Sequence, residues 1–176
     1  VNFDGAGNSY AAELIPETLS FKGIDFNLGD PTVANALKCK GNKIALPKGN
    51  YNKLYLLASA MRNDTRCTFA VGGKAQEVTV PYYAGFIGQW GHTGHTEEFL
   101  KAADVAYVGT HRHSMIGNRD LPYDYSYMFC IPLDIPAGAD SFTLPDDSQV
   151  VVFAASAVLD MNNVATPCSD LFRIGM

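Results

Sequence analysis

Hydrophobic positions along this chain come in short runs that alternate with polar residues or stay apolar briefly, then stop at Gly, Pro, Asn or Asp. "YNKLYLLASA" (51–60), "CTFAV" (67–71), "AQEVTV" (75–80), "DVAYVGTHRH" (104–113), "YSYMFCIPL" (125–133), "SFTLP" (141–145) and "VVVFAASAVL" (150–159) are rich in β-branched and aromatic residues. That composition fits a pleated surface with at least one buried face. "FKGIDFNL" (21–28) and "NKIALP" (42–47) are shorter candidates of the same kind. Between the runs stand "PKGN", "VGGK", "IPAGAD" and "PDDS", which is turn chemistry. Two stretches carry a helical suggestion: "NSYAAELI" (8–15) after an Asn cap, and "TEEFLKAAD" (96–104) with Thr at a capping position and acids in its first turn. Many short strands and no long helical period predict an all-β fold, a β-sandwich or a jelly roll. No repeat or linker breaks the pattern, so residues 1–176 read as one domain.

Composition narrows the class. Of 176 residues, 47% are hydrophobic and 18% charged, which suffices for a sizeable core. The net charge of -5 and the lack of a Lys/Arg cluster argue against binding nucleic acid, whose affinity comes largely from phosphate neutralisation. No apolar run approaches the length of about 20 residues that spans a bilayer. The chain opens on Val1 without an initiating Met, and the expectation is a domain excised from a longer polypeptide. Cys39, Cys67, Cys130 and Cys168 form no C-x-x-C pair, so a zinc ribbon is not indicated. Cys130 lies in an apolar strand and reads as a buried thiol; one disulfide among the other three stays open.

All four histidines fall in one window. His92 and His95 lie in "QWGHTGHTEEF" (89–99), His111 and His113 in "GTHRHS" (109–114). On a strand, His111 and His113 project from one face together with Tyr107. An H-x-H pair of this kind can serve a metal, and a cupin-like enzyme built on the four histidines is the alternative function. The cupin pattern wants a Glu three or four residues further on, and here those positions hold Ile116 and Gly117. The H-E-x-x-H zinc motif is absent too. The window therefore reads as a polar and aromatic rim, with the strand around Tyr123, Tyr125, Tyr127 and Phe129 pairing beside it through the loop "SMIGNRDLP".

Two further stretches carry candidate chemistry. "PYYAGFIGQWGH" (81–92) groups Tyr82, Tyr83, Phe86 and Trp90 among glycines, and such rings either stack on the apolar face of a sugar or cover the end of a core. "NFDGAGNSYAAE" (2–13) offers Asp4, Asn8 and Glu13 as hard oxygen ligands around a tight turn. A structural calcium ion and a plain Asx-rich turn are both compatible with it. Nucleophilic catalysis has little support, since no G-x-S-x-G occurs and Ser114 beside the histidines is not a triad.

The segments "NFDGAGNSYAAELIP", "VTVPYYAGFIGQW", "VAYVGTHRHS" and "YDYSYMFCIPLDIPAGADSFTLPDD" resemble a non-catalytic, galactose-binding-like β-sandwich module of bacterial glycoside hydrolases. The resemblance is greatest to the C-terminal region of α-mannosidase-like proteins. It covers most of the chain, with "GTHRH" and "GFIGQW" its most specific parts. It implies a fold, a jelly-roll β-sandwich of two antiparallel sheets, together with a secreted or periplasmic setting and an accessory role, with catalytic carboxylates in a separate domain. The partner would be carbohydrate or that catalytic domain, met by Tyr83, Trp90, His92, His111, His113, Asp124 and Tyr125.

Overall fold

The computed structural model describes residues 2–30, 35–85, 88–89, 99–101 and 103–159. Among them the chain is all-β, with fourteen strands and one short 3-10 turn, Ala12–Leu14. The strands are β1 (Asn8–Tyr10), β2 (Thr18–Phe21), β3 (Ile24–Asn27), β4 (Leu37–Lys38), β5 (Lys43–Ala45), β6 (Lys53–Ala60) and β7 (Thr65–Val71). They continue with β8 (Lys74–Val80), β9 (Gly88–Gln89), β10 (Phe99–Leu100), β11 (Asp104–Ser114), β12 (Arg119–Asp134), β13 (Ser141–Thr143) and β14 (Val150–Val158).

A six-stranded sheet runs β1-β11-β12-β6-β14-β4 and faces a four-stranded sheet, β5-β13-β7-β8. Every strand pair is antiparallel. This is the expected sandwich, with successive strands crossing between sheets from β4 to β5 to β6 to β7. Each of the seven main runs contains a strand, displaced by a few residues at the ends. The helical suggestion at 8–15 resolves into β1 and the 3-10 turn. That at 96–104 does not survive in its described part, where Phe99–Leu100 is a strand and β11 begins at Asp104. Residues 96–98 lie outside the described residues.

One feature exceeds a two-sheet sandwich. The six-stranded sheet is buried on both faces. Leu54, Leu56, Ala58 and Ala60 of β6 join Phe69, Val71, Phe129, Ile131 and Phe142 in the core between the sheets. Leu57 of the same strand points the other way, into a second core with Phe3, Tyr10, Phe26, Tyr83 and Met128. The cover on that side comes from the N-terminal segment, the β2–β3 hairpin and residues 82–84. The near-continuous apolar run of β6 is the sequence mark of burial on both faces. The hairpin itself forms because Lys22 and Gly23 both take positive φ, 51° and 77°, the backbone of a tight two-residue hairpin turn. It splits the single strand expected over 21–28.

Cys39, Cys67 and Cys130 are free and buried. Cys39 and Cys67 share the inter-sheet core without bonding, so the disulfide left open in the sequence does not join those two. Cys168 lies outside the described residues. No helix among the described residues is long and apolar enough to cross a membrane.

Candidate functional site

The site is built on the long hairpin β11–β12. Its register sets His113 directly opposite Asp120 and His111 opposite Pro122. Directly paired residues share a face, so the H-x-H pair and Asp120 project together. His113 Nδ1 lies 3.2 Å from Asp120 Oδ1, and His111 Nε2 lies 4.0 Å from that same oxygen. On its other edge β11 pairs with β1, Ser9 opposite His113 and Tyr10 opposite Arg112. The chain then turns through Ala12–Leu14, which delivers the Glu13 carboxylate to 2.7 Å from His111 Nε2. Two imidazoles and two carboxylates thus meet from three elements at the mouth of the hairpin. The acids are exposed and the imidazoles half-buried. Below them Tyr107 is buried, and its hydroxyl has no hydrogen-bond partner among the described residues. Burial pushes that phenol up to about 12, and the charge on Glu13 adds to the shift.

A second network lies beside the first. Tyr83 is fully buried; its hydroxyl donates to Asp4 Oδ2 at 2.8 Å and accepts from Arg112 Nη1 at 3.1 Å. The other end of the Arg112 guanidinium reaches Asp124 Oδ2 at 3.1 Å, and its centre sits 5.7 Å from the Tyr83 ring. Desolvation works against the charge on Arg112, but Tyr83 and Asp124 outweigh it and its pKa is raised. Asp4 also accepts from the backbone N–H of Ala6 and Asn8 and from Asn8 Nδ2, at 2.8, 3.0 and 2.8 Å. Burial alone would raise its pKa; these hydrogen bonds win and lower it.

This places the expected residues. Tyr83 cannot stack on a sugar, because its ring is inside the second core against Phe3, Tyr10 and Tyr82. Backbone bonds fix it there, with Tyr83 N donating to Ala60 O and its carbonyl accepting from Tyr127 N. The residues named as calcium ligands are divided: Asp4 and Asn8 bond to each other, and Glu13 bonds to His111. The four donors on Asp4 occupy about as many acceptor sites as a carboxylate has. Trp90, His92 and His95 lie outside the described residues. Asp124 and Tyr125 are on the hairpin, as expected. The tyrosine ladder holds over Tyr125, Tyr127 and Phe129, with ring centroids 6.5 and 6.2 Å apart.

Tyr123 leaves that ladder. Between Gly109↔Ser126 and His111↔Pro122 the register slips, so β12 carries two extra residues there. Within this bulge Tyr123 takes φ 64° and is 82% exposed. Asp120 and Arg112 belong to this candidate site without standing out in the sequence. Asp120 could have been found by pairing the two strands about the "IGN" turn, which puts it opposite His113. Arg112 carried no signal of its own, since its role depends on the segment 82–84.

An antiparallel β-sandwich with a polar, aromatic hairpin mouth defines a small sandwich module. A family model described as the AziU2-like beta-sandwich domain matches residues 1–161, and the chain belongs to that family. No curated protein matches it.

Proposed function

We propose that this chain is a non-catalytic accessory module of a bacterial glycan-degrading enzyme, α-mannosidase-like, and that the mouth of the β11–β12 hairpin docks against the catalytic domain of the same polypeptide. The glycosidase setting rests on the resemblance of "GTHRH" and "GFIGQW" given above. The docking role rests on Tyr123. A bulky aromatic in left-handed backbone costs on the order of 1–3 kcal/mol, and such strain gathers at binding sites. Tyr123 recovers nothing inside the fold, because its ring is almost wholly in solvent. A partner surface offsets that cost. Met115 and Ile116 at the hairpin tip are 56% and 72% exposed, and aliphatic tips of this kind suit a protein surface better than sugar hydroxyls.

The test uses Tyr123→Ala and Ile116→Asp in the parent enzyme and in the isolated chain. Docking predicts that each weakens association with the separately expressed catalytic domain, Tyr123→Ala by about 2 kcal/mol, the cost of truncating a central aromatic anchor. Binding of mannose oligosaccharides by the isolated chain, lost on Tyr123→Ala, would replace docking with sugar recognition. No effect on either would leave the surface without a role.

A further inference from the structure

We propose that Glu13, His111 and Asp120 form a binding site for a divalent first-row transition ion of the zinc type, with His113 holding Asp120 in place. The inference stands apart from the docking reading and departs from the metal-free rim expected of the sequence. That expectation rested on the missing Glu after the H-x-H. In space the missing carboxylate is supplied twice, by Glu13 from one neighbouring element and Asp120 from the other.

The geometry is that of ligands around one ion. One atom from each of the three side chains lies within 4.8 Å of the others. His111 Nε2 is 2.7 Å from Glu13 Oε1 and 4.0 Å from Asp120 Oδ1. These distances bracket the separation of about 3.3 Å between neighbouring ligands on a tetrahedral ion with bonds of about 2.0–2.1 Å. Small rotations of two exposed carboxylates close the difference, while the half-buried His111 stays fixed on its strand. One imidazole with two carboxylates suits zinc, cobalt or manganese; calcium would ask for six to eight oxygens. Three protein ligands leave a fourth position open to water or to a group from outside. His113 need not touch the ion. Its Nδ1 at 3.2 Å from Asp120 Oδ1 orients that carboxylate, as outer partners of metal ligands do. The ion would tie the N-terminal turn to the hairpin, binding only the folded chain and therefore stabilising it.

Chelator-stripped protein is titrated with zinc by calorimetry and with cobalt by visible absorption. The expected result is one ion per chain, a tetrahedral cobalt spectrum that zinc displaces, and a melting temperature that rises with zinc concentration. Glu13→Gln and Asp120→Asn keep size and shape on exposed side chains, so they test the site without risk to folding. Each should weaken binding by at least tenfold, His111→Ala more, and His113→Ala by about tenfold through Asp120 alone. A His92→Ala, His95→Ala variant should bind as before. Absence of stoichiometric binding overturns the site. So does binding that survives both Glu13→Gln and Asp120→Asn, or that is lost only when His92 and His95 are replaced.

Discussion

At the scale of single residues, the hairpin mouth is held by Tyr83, a side chain whose sequence context leaves two roles open. "PYYAGFIGQW" is glycine-punctuated and aromatic, which describes an exposed platform and a core plug equally well. The difference lies in what meets the phenol, and those groups, Asp4 and Arg112, are far away in sequence. Both are charged, and a hydrogen bond to a charged group contributes about 1.5–3 kcal/mol when buried. Tyr83→Phe keeps the ring and removes both bonds, so it should lower unfolding stability by about 2 kcal/mol, read from urea denaturation. Asp4 adds a pH signature. Its folded pKa is below the ordinary carboxylate value, so its contribution is complete above the unfolded value of about 3.9 and is lost as pH falls through the folded one. Asp4→Asn should flatten the acid limb of the stability curve and leave its neutral region parallel to the wild type. An unchanged acid limb would mean that Asp4 is not the group being titrated.

At the scale of elements, legibility followed the buried face. Strand β6 could be found because both of its faces are apolar, and β7 because Cys67, Phe69 and Val71 alternate inward. The β2–β3 hairpin looks like one strand in the sequence, since "FKGI" offers a single glycine and the positive φ at Lys22 leaves no mark there. The slip in β12 was equally invisible. Alternation through Tyr123, Tyr125 and Tyr127 predicts one ladder, whereas the extra residues at the bulge turn Tyr123 outward. Hydrophobic pattern fixes which side of a strand is buried but is silent about where its partner gains a residue. Burial also ranks the strands by energy. Leu56 is wholly buried in β6, so Leu56→Ala should cost about 2–5 kcal/mol. Leu37, 41% exposed in the edge strand β4, should change stability by less than about 0.5 kcal/mol on the same replacement. Comparable losses at both positions, by thermal or chemical denaturation, would contradict the placement of β4 at the edge.

At the scale of the whole molecule, the sandwich was legible and its third layer was not. The sequence pattern names strands, but it does not say that the N-terminal segment, β2–β3 and residues 82–84 will close over the outer face of the larger sheet. That closure is also what carries Glu13 to His111. It leaves two cores that share the strands β6 and β12, Leu56 and Ile131 on one side, Leu57 and Met128 on the other. Opening either core exposes an apolar face of strands that the other core also packs on, so the layers should open together. The thiols report on this. Cys39 and Cys67 lie in the inter-sheet core and Cys130 in the outer one. Burial pushes Cys39 up to about 12, with Cys67 and Asp147 adding to the shift. It pushes Cys67 and Cys130 up to about 11. Native thiols of this kind are protonated and shielded at neutral pH, and inert until the structure opens. In a Cys168→Ser background, a disulfide-exchange reagent should find three thiols in denaturant. In the native protein all three should react slowly, at one common rate set by global unfolding. A faster Cys130 would show that the outer layer peels away alone, and fewer than three thiols in denaturant would reveal a bond between Cys39 and Cys67.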